Sequence, residues 1–225
     1  RQVAAKSAPK KVMANALREL NQELVPTGEQ YSVIYADPPW DHLSESDTAY
    51  PLMSTKEICE MRTEEMAEED AVLFIWTTAG RLFDALEVIE AWGFEFKTSM
   101  VWDKEQAGTG VYFRVQHEFL LLATRGKPPA VPNTCCPSSI HREMRTEHSV
   151  KPKAFYSMIE GMYPGLDKLE LFARDAQQGW AVWGNQAKQP VEAEAPMNLV
   201  KVPAAKVVAK ARKAANDGKV PVAAC

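Results

Sequence analysis

Apolar positions along this 225-residue chain fall into short continuous runs separated by stretches with helical spacing. Val33, Ile34, Tyr35 and Ala36 form the first run, rich in β-formers and of the kind buried on both faces of a parallel sheet. Ala71-Val-Leu-Phe-Ile-Trp76 is a second such run. Residues 94–102, 111–123 (chiefly 118–123), 168–172 and 180–183 predict four more strands. Between them, Leu82, Ala85, Leu86, Ile89 and Trp92 recur at helical spacing and predict an amphipathic helix over 81–92, closed by Gly93. Phe155, Met158, Ile159 and Met162 predict another over 152–162, with Pro152 in its first turn. Ser54 and Glu57 have the spacing of a capping box that opens a short helix. A further short helix is expected over 17–24.

Three stretches carry no such period. Residues 41–56 are polar before Tyr50 and read as a loop over the strand end that precedes them, placed to act as a lid. The acidic run 64–70 reads as a solvated helix end. Residues 128–146 contain four prolines and read as a loop. Strands alternating with helices predict an α/β fold: a mostly parallel twisted sheet with helices on both faces. Residues 31–186 form that domain, preceded by an N-terminal extension at 1–30. After residue 186 the composition turns to Ala, Lys, Pro and Val without aromatics, so 187–225 reads as a flexible tail.

Composition narrows the classes. No run of about 18 apolar residues exists, so no membrane-spanning helix is expected. The first residues are polar and lack the apolar centre of a signal peptide. The four cysteines show no Cys-x-x-Cys spacing, so no metal site is expected. These features imply the cytoplasm.

Net charge changes the picture only when it is divided. Of 26 basic and 30 acidic residues, five and three lie in 1–30 and seven and three in 187–225. The domain keeps 14 and 24. A polyanion would need a local basic patch on such a surface. One stretch supplies it: Lys104, Arg114, Arg125, Lys127, Arg142, Arg145, Lys151 and Lys153, against four acids between 104 and 153. Arg114, Arg125, Lys127, Arg142, Arg145 and Lys153 are the candidate nucleic-acid contacts.

The chemistry concentrates where the first strand ends, at Asp37-Pro38-Pro39-Trp40. Two prolines remove two backbone donors and fix two φ angles, so the strand stops in a rigid elbow. The elbow offers a carboxylate, carbonyls without a local amide to claim them, and an aromatic face. Ligands of open α/β sheets sit outside the carboxyl ends of the strands. An amine on a heterocycle is a poor nucleophile because its lone pair is delocalised. Two acceptors aimed at its hydrogens localise that pair, and a stacked aromatic orients the ring. Attack on a methyl sulfonium needs little beyond such positioning and electrostatics.

Asp37-Pro-Pro-Trp40 resembles the elbow motif of the adenine-N6 and cytosine-N4 amino-methyltransferases. Over about 31–186 the chain is similar to one branch, the family of the messenger-RNA N6-adenosine methyltransferase catalytic subunit, which includes bacterial and phage DNA adenine methyltransferases. The resemblance implies a Rossmann-like methyltransferase fold with permuted motif order, and catalytic roles for Asp37, Pro38, Pro39 and Trp40. It implies S-adenosylmethionine as cofactor. Lys151, before a helix N-terminus that favours anions, matches the lysine that meets the methionine carboxylate. Glu170 and Arg174 match an acid and arginine framing the ribose, and Gly184-Asn185-Gln186 matches a terminal Gly-Asn-Gln at the ribose or adenine edge. Asp37 belongs to both sets. Asp175-Ala-Gln-Gln178 departs from the family's His-Asn pair, leaving Gln177 as a substitute.

The resulting expectation is transfer of a methyl group to the N6 amino group of adenine in nucleic acid, DNA rather than RNA, in a bacterial or phage-infected cell. A homodimer or a partner subunit is expected from the family. The alternatives are a non-catalytic methyltransferase-like subunit, a cytosine-N4 enzyme and an RNA adenosine enzyme.

Overall fold

The computed structural model describes residues 28–41, 52–146, 150–173 and 177–184. Expectations for the helix at 17–24, for most of the lid and for the tail lie outside these residues, as do Arg174, Asn185 and Gln186.

Seven strands form one sheet: β1 (Tyr31–Ala36), β2 (Ala67–Thr77), β3 (Glu95–Asp103), β4 (His117–Arg125), β5 (Ile140–Arg142), β6 (Lys168–Leu171) and β7 (Ala181–Trp183). Their spatial order is β5-β3-β4-β2-β1-β6-β7. β1 pairs parallel with β2 and β6, β6 with β7, and β3 with β5. β4 runs antiparallel to both β2 and β3. The sheet is thus mostly parallel, with one reversed strand inserted.

Side-chain alternation divides the core into two layers. Ile34, Ala36, Leu73, Ile75, Leu169 and Leu171 face one way, against Ile58 of α1 (Thr55–Cys59) and Ala85, Val88 and Ile89 of α3 (Leu82–Ala91). Val33, Tyr35, Val72, Phe74 and Trp76 face the other, against Phe155 and Ile159 of α4 (Ala154–Met162). Both faces of β1 and β2 are buried, which is why these strands read as continuous apolar runs.

Several local expectations hold. Ser54 caps α1, and its hydroxyl accepts from the Glu57 amide while the Glu57 carboxylate accepts from the Ser54 amide. Gly93 follows α3 with φ +78°, where glycine pays no Cβ penalty.

Others are corrected. Helix α2 covers only Thr63–Met66, and Glu68, Glu69 and Asp70 belong to β2. Glu69 and Asp70 are exposed, and the carboxylates of Glu68 and Asp70 serve neighbouring donors. Ser32 donates its hydroxyl to Glu68 at 2.7 Å, and Lys127 its amide to Asp70 at 2.7 Å. Residues 140–142, read as loop, add strand β5 at the sheet's margin. Helix α4 starts at Ala154 with Lys153 as its cap, two residues after Pro152.

Candidate active site

β1 lies where the winding of the sheet reverses. Chain leaving β1 builds β2 on one side and returns much later as β6 on the other. The connections leaving the carboxyl ends of β1 and β6 therefore run to opposite sides at a topological switch point, the place where open α/β sheets bind ligands. Asp37 follows β1 at this point.

The elbow is fixed from both sides. Trp40 donates its amide to the Pro38 carbonyl at 2.9 Å, a γ-turn closure. Met53 donates to the Pro39 carbonyl at 2.8 Å, and Asp41 to the Met53 carbonyl at 3.0 Å. Arg81 donates a further hydrogen bond to the Asp41 carbonyl. The proline carbonyls are thus not left without amide partners, as the sequence suggested. Each has accepted one hydrogen bond and keeps a second lone pair. These bonds also pin together the two ends of the expected lid.

Trp40 departs from expectation too. It is 6% exposed and sits in the α3 core layer, with its indole N–H donated to the Trp76 carbonyl at 3.0 Å. The open stacking face expected there is drawn into the core.

Asp37 is engaged by a network of charges. Lys151 Nζ lies 2.6 Å from Asp37 Oδ2 and 3.3 Å from Glu118 Oε2. Glu118 also binds Lys104 Nζ. Beneath them lie two indoles: Lys151 sits 5.2 Å from the centre of the Trp76 ring and Lys104 5.2 Å from that of Trp102. Trp76 is itself held by donating its N–H to the Tyr35 hydroxyl at 2.7 Å.

The network settles its own protonation. Burial alone would lower the Lys151 pKa, but the facing carboxylates of Asp37 and Glu118 outweigh it and hold the ammonium above its ordinary value. Burial opposes ionisation of Glu118, yet Lys151 and Lys104 overcome it and depress its pKa. Glu118 was missed as a site residue in the sequence. The available signal was a carboxylate entering an otherwise apolar strand, which demands a partner.

Other predicted residues fall in different places. Glu170 is 7% exposed and accepts the Tyr156 hydroxyl at 2.8 Å, so it lies under α4 and not on the open rim. Phe172, just past β6, has φ +64°, a strained value for a side chain of that size. Gly184 approaches the chain beyond β6 so closely that a Cβ there would lie 2.6 Å from the Ala173 carbonyl oxygen.

The basic candidates divide between two rims. Arg142 ends β5 and pairs with Asp103 at 3.5 Å. Arg145 donates to the Gln106 side chain at 2.8 Å. Arg114 and Lys153 are exposed. All four lie on chain beyond the strand ends on the Asp37 side. Arg125 and Lys127 do not. β4 is reversed, so Arg125 pairs with Ala71 at the start of β2, on the opposite rim. There Arg125 donates to the Glu64 carbonyl at 2.8 Å. Lys104, placed in the basic stretch by sequence, is tied to Glu118.

A zwitterionic amino acid suits this site. Lys151 offers a cation to a carboxylate and Asp37 an acceptor to an ammonium, both at a switch point with strained, closely approaching backbone. The indole N–H of Trp183 is buried without a hydrogen-bond partner near the end of β7. The donor set therefore fits the amino-acid end of S-adenosylmethionine. Among the described residues no group of three or more His, Cys, Asp or Glu is placed to hold a metal ion, and no helix is long and apolar enough to cross a membrane.

Comparison with known proteins places the chain in a family. Residues 31–186 match the MT-A70 family. The chain is similar to Type II methyltransferase M.MunI of Mycoplasma sp, at 33% identity over 222 residues, covering 88% of this chain and 91% of the relative. It is similar to the N(6)-adenosine-methyltransferase MT-A70-like protein of Arabidopsis thaliana, at 31% over 167 residues, covering 69% and 24%. The human N(6)-adenosine-methyltransferase catalytic subunit METTL3 matches at 29% over 168 residues, covering 70% and 28%. The chain thus spans about a quarter of the length of these two eukaryotic relatives.

Proposed function

The chain belongs to the MT-A70 family, and from that premise we propose that it methylates the N6 amino group of adenine in DNA with S-adenosylmethionine as donor. It is an adenine-N6 methyltransferase. The observation that carries the assignment of roles is the seating of Asp37 at the β1–β6 switch point, 2.6 Å from Lys151. The preference for DNA rests on similarity over nearly the whole of a type II methyltransferase, against a quarter of the eukaryotic adenosine enzymes.

S-adenosylmethionine supplies a methyl group on a positively charged sulfur when bound. Lys151 would meet its carboxylate, and Arg174, Asn185 and Gln186 would hold its ribose and adenine. Asp37 and the second lone pair of the Pro38 carbonyl accept the two hydrogens of the target amine. That draws its lone pair out of the ring and towards the donor. The Asp37 carboxylate also stabilises the positive charge that grows on nitrogen and is the acceptor in place for the proton that the methylated amine then loses. Lys151 limits this by sharing Asp37, and Glu118 restores the balance by sharing Lys151. Trp40 acts from the core, holding the elbow by its bond to the Trp76 carbonyl. A cytoplasmic setting in a bacterial or phage-infected cell follows from the same reading.

The test is nucleoside mass spectrometry after incubation with S-adenosylmethionine and either plasmid DNA or total RNA. N6-methyladenine in DNA is expected, and Asp37→Ala should abolish it while the protein stays folded by circular dichroism. N4-methylcytosine, or modification of RNA alone, would redirect the assignment. An Asp37→Ala protein as fast as wild type would overturn it.

A further inference from the structure

β3 and β4 are joined by residues 104–116, and this link continues their antiparallel ladder outward. Lys104 donates its amide to the Gln116 carbonyl at 2.9 Å, and Gly108 to the Val115 carbonyl at 2.8 Å. Gln116 ties its side chain to Asp103 at 2.7 Å. A Cβ at Gly108 would lie 2.8 Å from the Val115 oxygen, and one at Gly110 would collide with the Phe113 carbonyl. Glycine is required at both for the chain to fold back so tightly. The result is a stapled hairpin beyond the rim that carries Asp37.

Its tip presents the wrong residues for water. Val111, Tyr112 and Phe113 are 95%, 93% and 86% exposed. Three consecutive large apolar side chains with no cover require a reason. Arg114 follows directly and is exposed. Arg145 is bonded to Gln106 in the same hairpin, and Arg142 lies across Asp103 at its base. An apolar, aromatic point flanked by arginines is complementary to stacked bases between phosphates, and much less so to an apolar protein face.

We propose that the 104–116 hairpin is a wedge that enters duplex DNA, with Tyr112 and Phe113 taking the space of the adenine withdrawn to Asp37. This rests on the methyltransferase reading above. An amine inside a duplex cannot reach the elbow, so its base must leave the stack and give up its stacking and pairing. Aromatic side chains placed in the gap replace part of the lost stacking, and the arginines hold the backbone on either side. Trp40, buried at the elbow, is not available for this work. The hairpin supplies from outside the aromatic surface that the elbow lacks.

The experiment compares native plasmid DNA with the same DNA heat-denatured, for wild type and for the Tyr112→Ala/Phe113→Ala double variant. A separated strand needs no wedge. The variant should lose at least about tenfold in kcat/KM on native DNA and stay within about twofold on denatured strands. Because the substituted side chains are almost fully exposed, its melting temperature should not change. In parallel, an adenine-containing duplex with 2-aminopurine as reporter should bind the variant more weakly and show less unstacking. Equal loss on both DNA forms, or no loss on either, would overturn the wedge. So would a dimeric wild type whose variant sediments as a monomer and loses activity on both forms, since the tip would then be a subunit contact. A wild type that binds and unstacks the duplex through these residues but methylates nothing would sink the methyltransferase reading and leave the wedge standing. A wild type that does not bind duplex at all would remove the wedge.

Discussion

The ammonium of Lys151 lies 2.6 Å from Oδ2 of Asp37, joining residues 114 positions apart. A residue matched by sequence to the cofactor thus also touches the residue proposed to meet the target amine. Lys151→Met should therefore weaken S-adenosylmethionine binding and slow the chemical step together, each by at least about tenfold. Calorimetry and single-turnover rates at saturating cofactor separate the two. A change in affinity alone would assign Lys151 wholly to the cofactor.

Glu118, second to Asp37, helps hold Lys151 charged, and this network is sensitive to pH. The Lys151 pKa is raised, so its stabilising contribution is complete below the ordinary lysine value of ~10.4 and is lost as pH climbs through the folded value. The Glu118 pKa is lowered, so its contribution is present above ~4.3 and is lost as pH falls through the folded value. Glu118→Gln removes one of the two carboxylates that hold Lys151 charged against burial. It should cost about 3–5 kcal/mol near neutrality and move the alkaline loss of stability to lower pH. Melting temperatures across pH 4–11, about the range set by those reference values, check this. An alkaline limb that does not move would place the control of Lys151 in Asp37 alone.

Trp40 is buried and donates its indole N–H within the core, so its substitution reads first in stability. Trp40→Ala should cost about 3–5 kcal/mol from the cavity. Trp40→Phe should cost about 1–3 kcal/mol, because the Trp76 carbonyl is left without its donor. Denaturant midpoints measure both. If Trp40→Phe loses activity without losing stability, the indole acts on the substrate and not through the core.

The two rims predict two salt responses. Neutralising Arg142 and Arg145 should flatten the dependence of duplex affinity on salt by about 0.9 in log–log slope for each phosphate that is no longer neutralised. Neutralising Arg125 and Lys127, on the opposite rim, should leave the slope unchanged. Fluorescence anisotropy at several salt concentrations reads both. A slope that falls only for the second pair would put DNA on the far rim.

The strands other than β5, together with α3 and the capping box, were legible because each is set by local pattern: apolar runs for β1 and β2, helical spacing in α3, and Ser54 with Glu57. The direction of β4 was not, since an antiparallel and a parallel neighbour bury the same residues. The link 104–116 held a hint, being aperiodic and without the helix that parallel crossovers use. Strand β5 was hidden by its three-residue length between prolines. Asp37 was legible because prolines mark the elbow, whereas the depth of Trp40 depends on Met53 and Trp76, which only the fold brings near. Arg125 and Lys127 were grouped with Arg142 by proximity in sequence, and the reversal of β4 carries them to the other rim.

The pairing of Val33 with Lys168 has a consequence for how the activity comes into being. The crevice is bounded on one side by the first strand of the domain and on the other by its sixth, so loop closure over most of the domain precedes the site. A nascent chain on the ribosome has no catalytic crevice until β6 has emerged, however complete its first half. Severing the chain between β4 and β5 would give two inert pieces, one with Asp37 and Glu118 and the other with Lys151. Their reassociation would restore the crevice, so the domain lends itself to split-protein complementation, with methylation as the readout of the two halves having met.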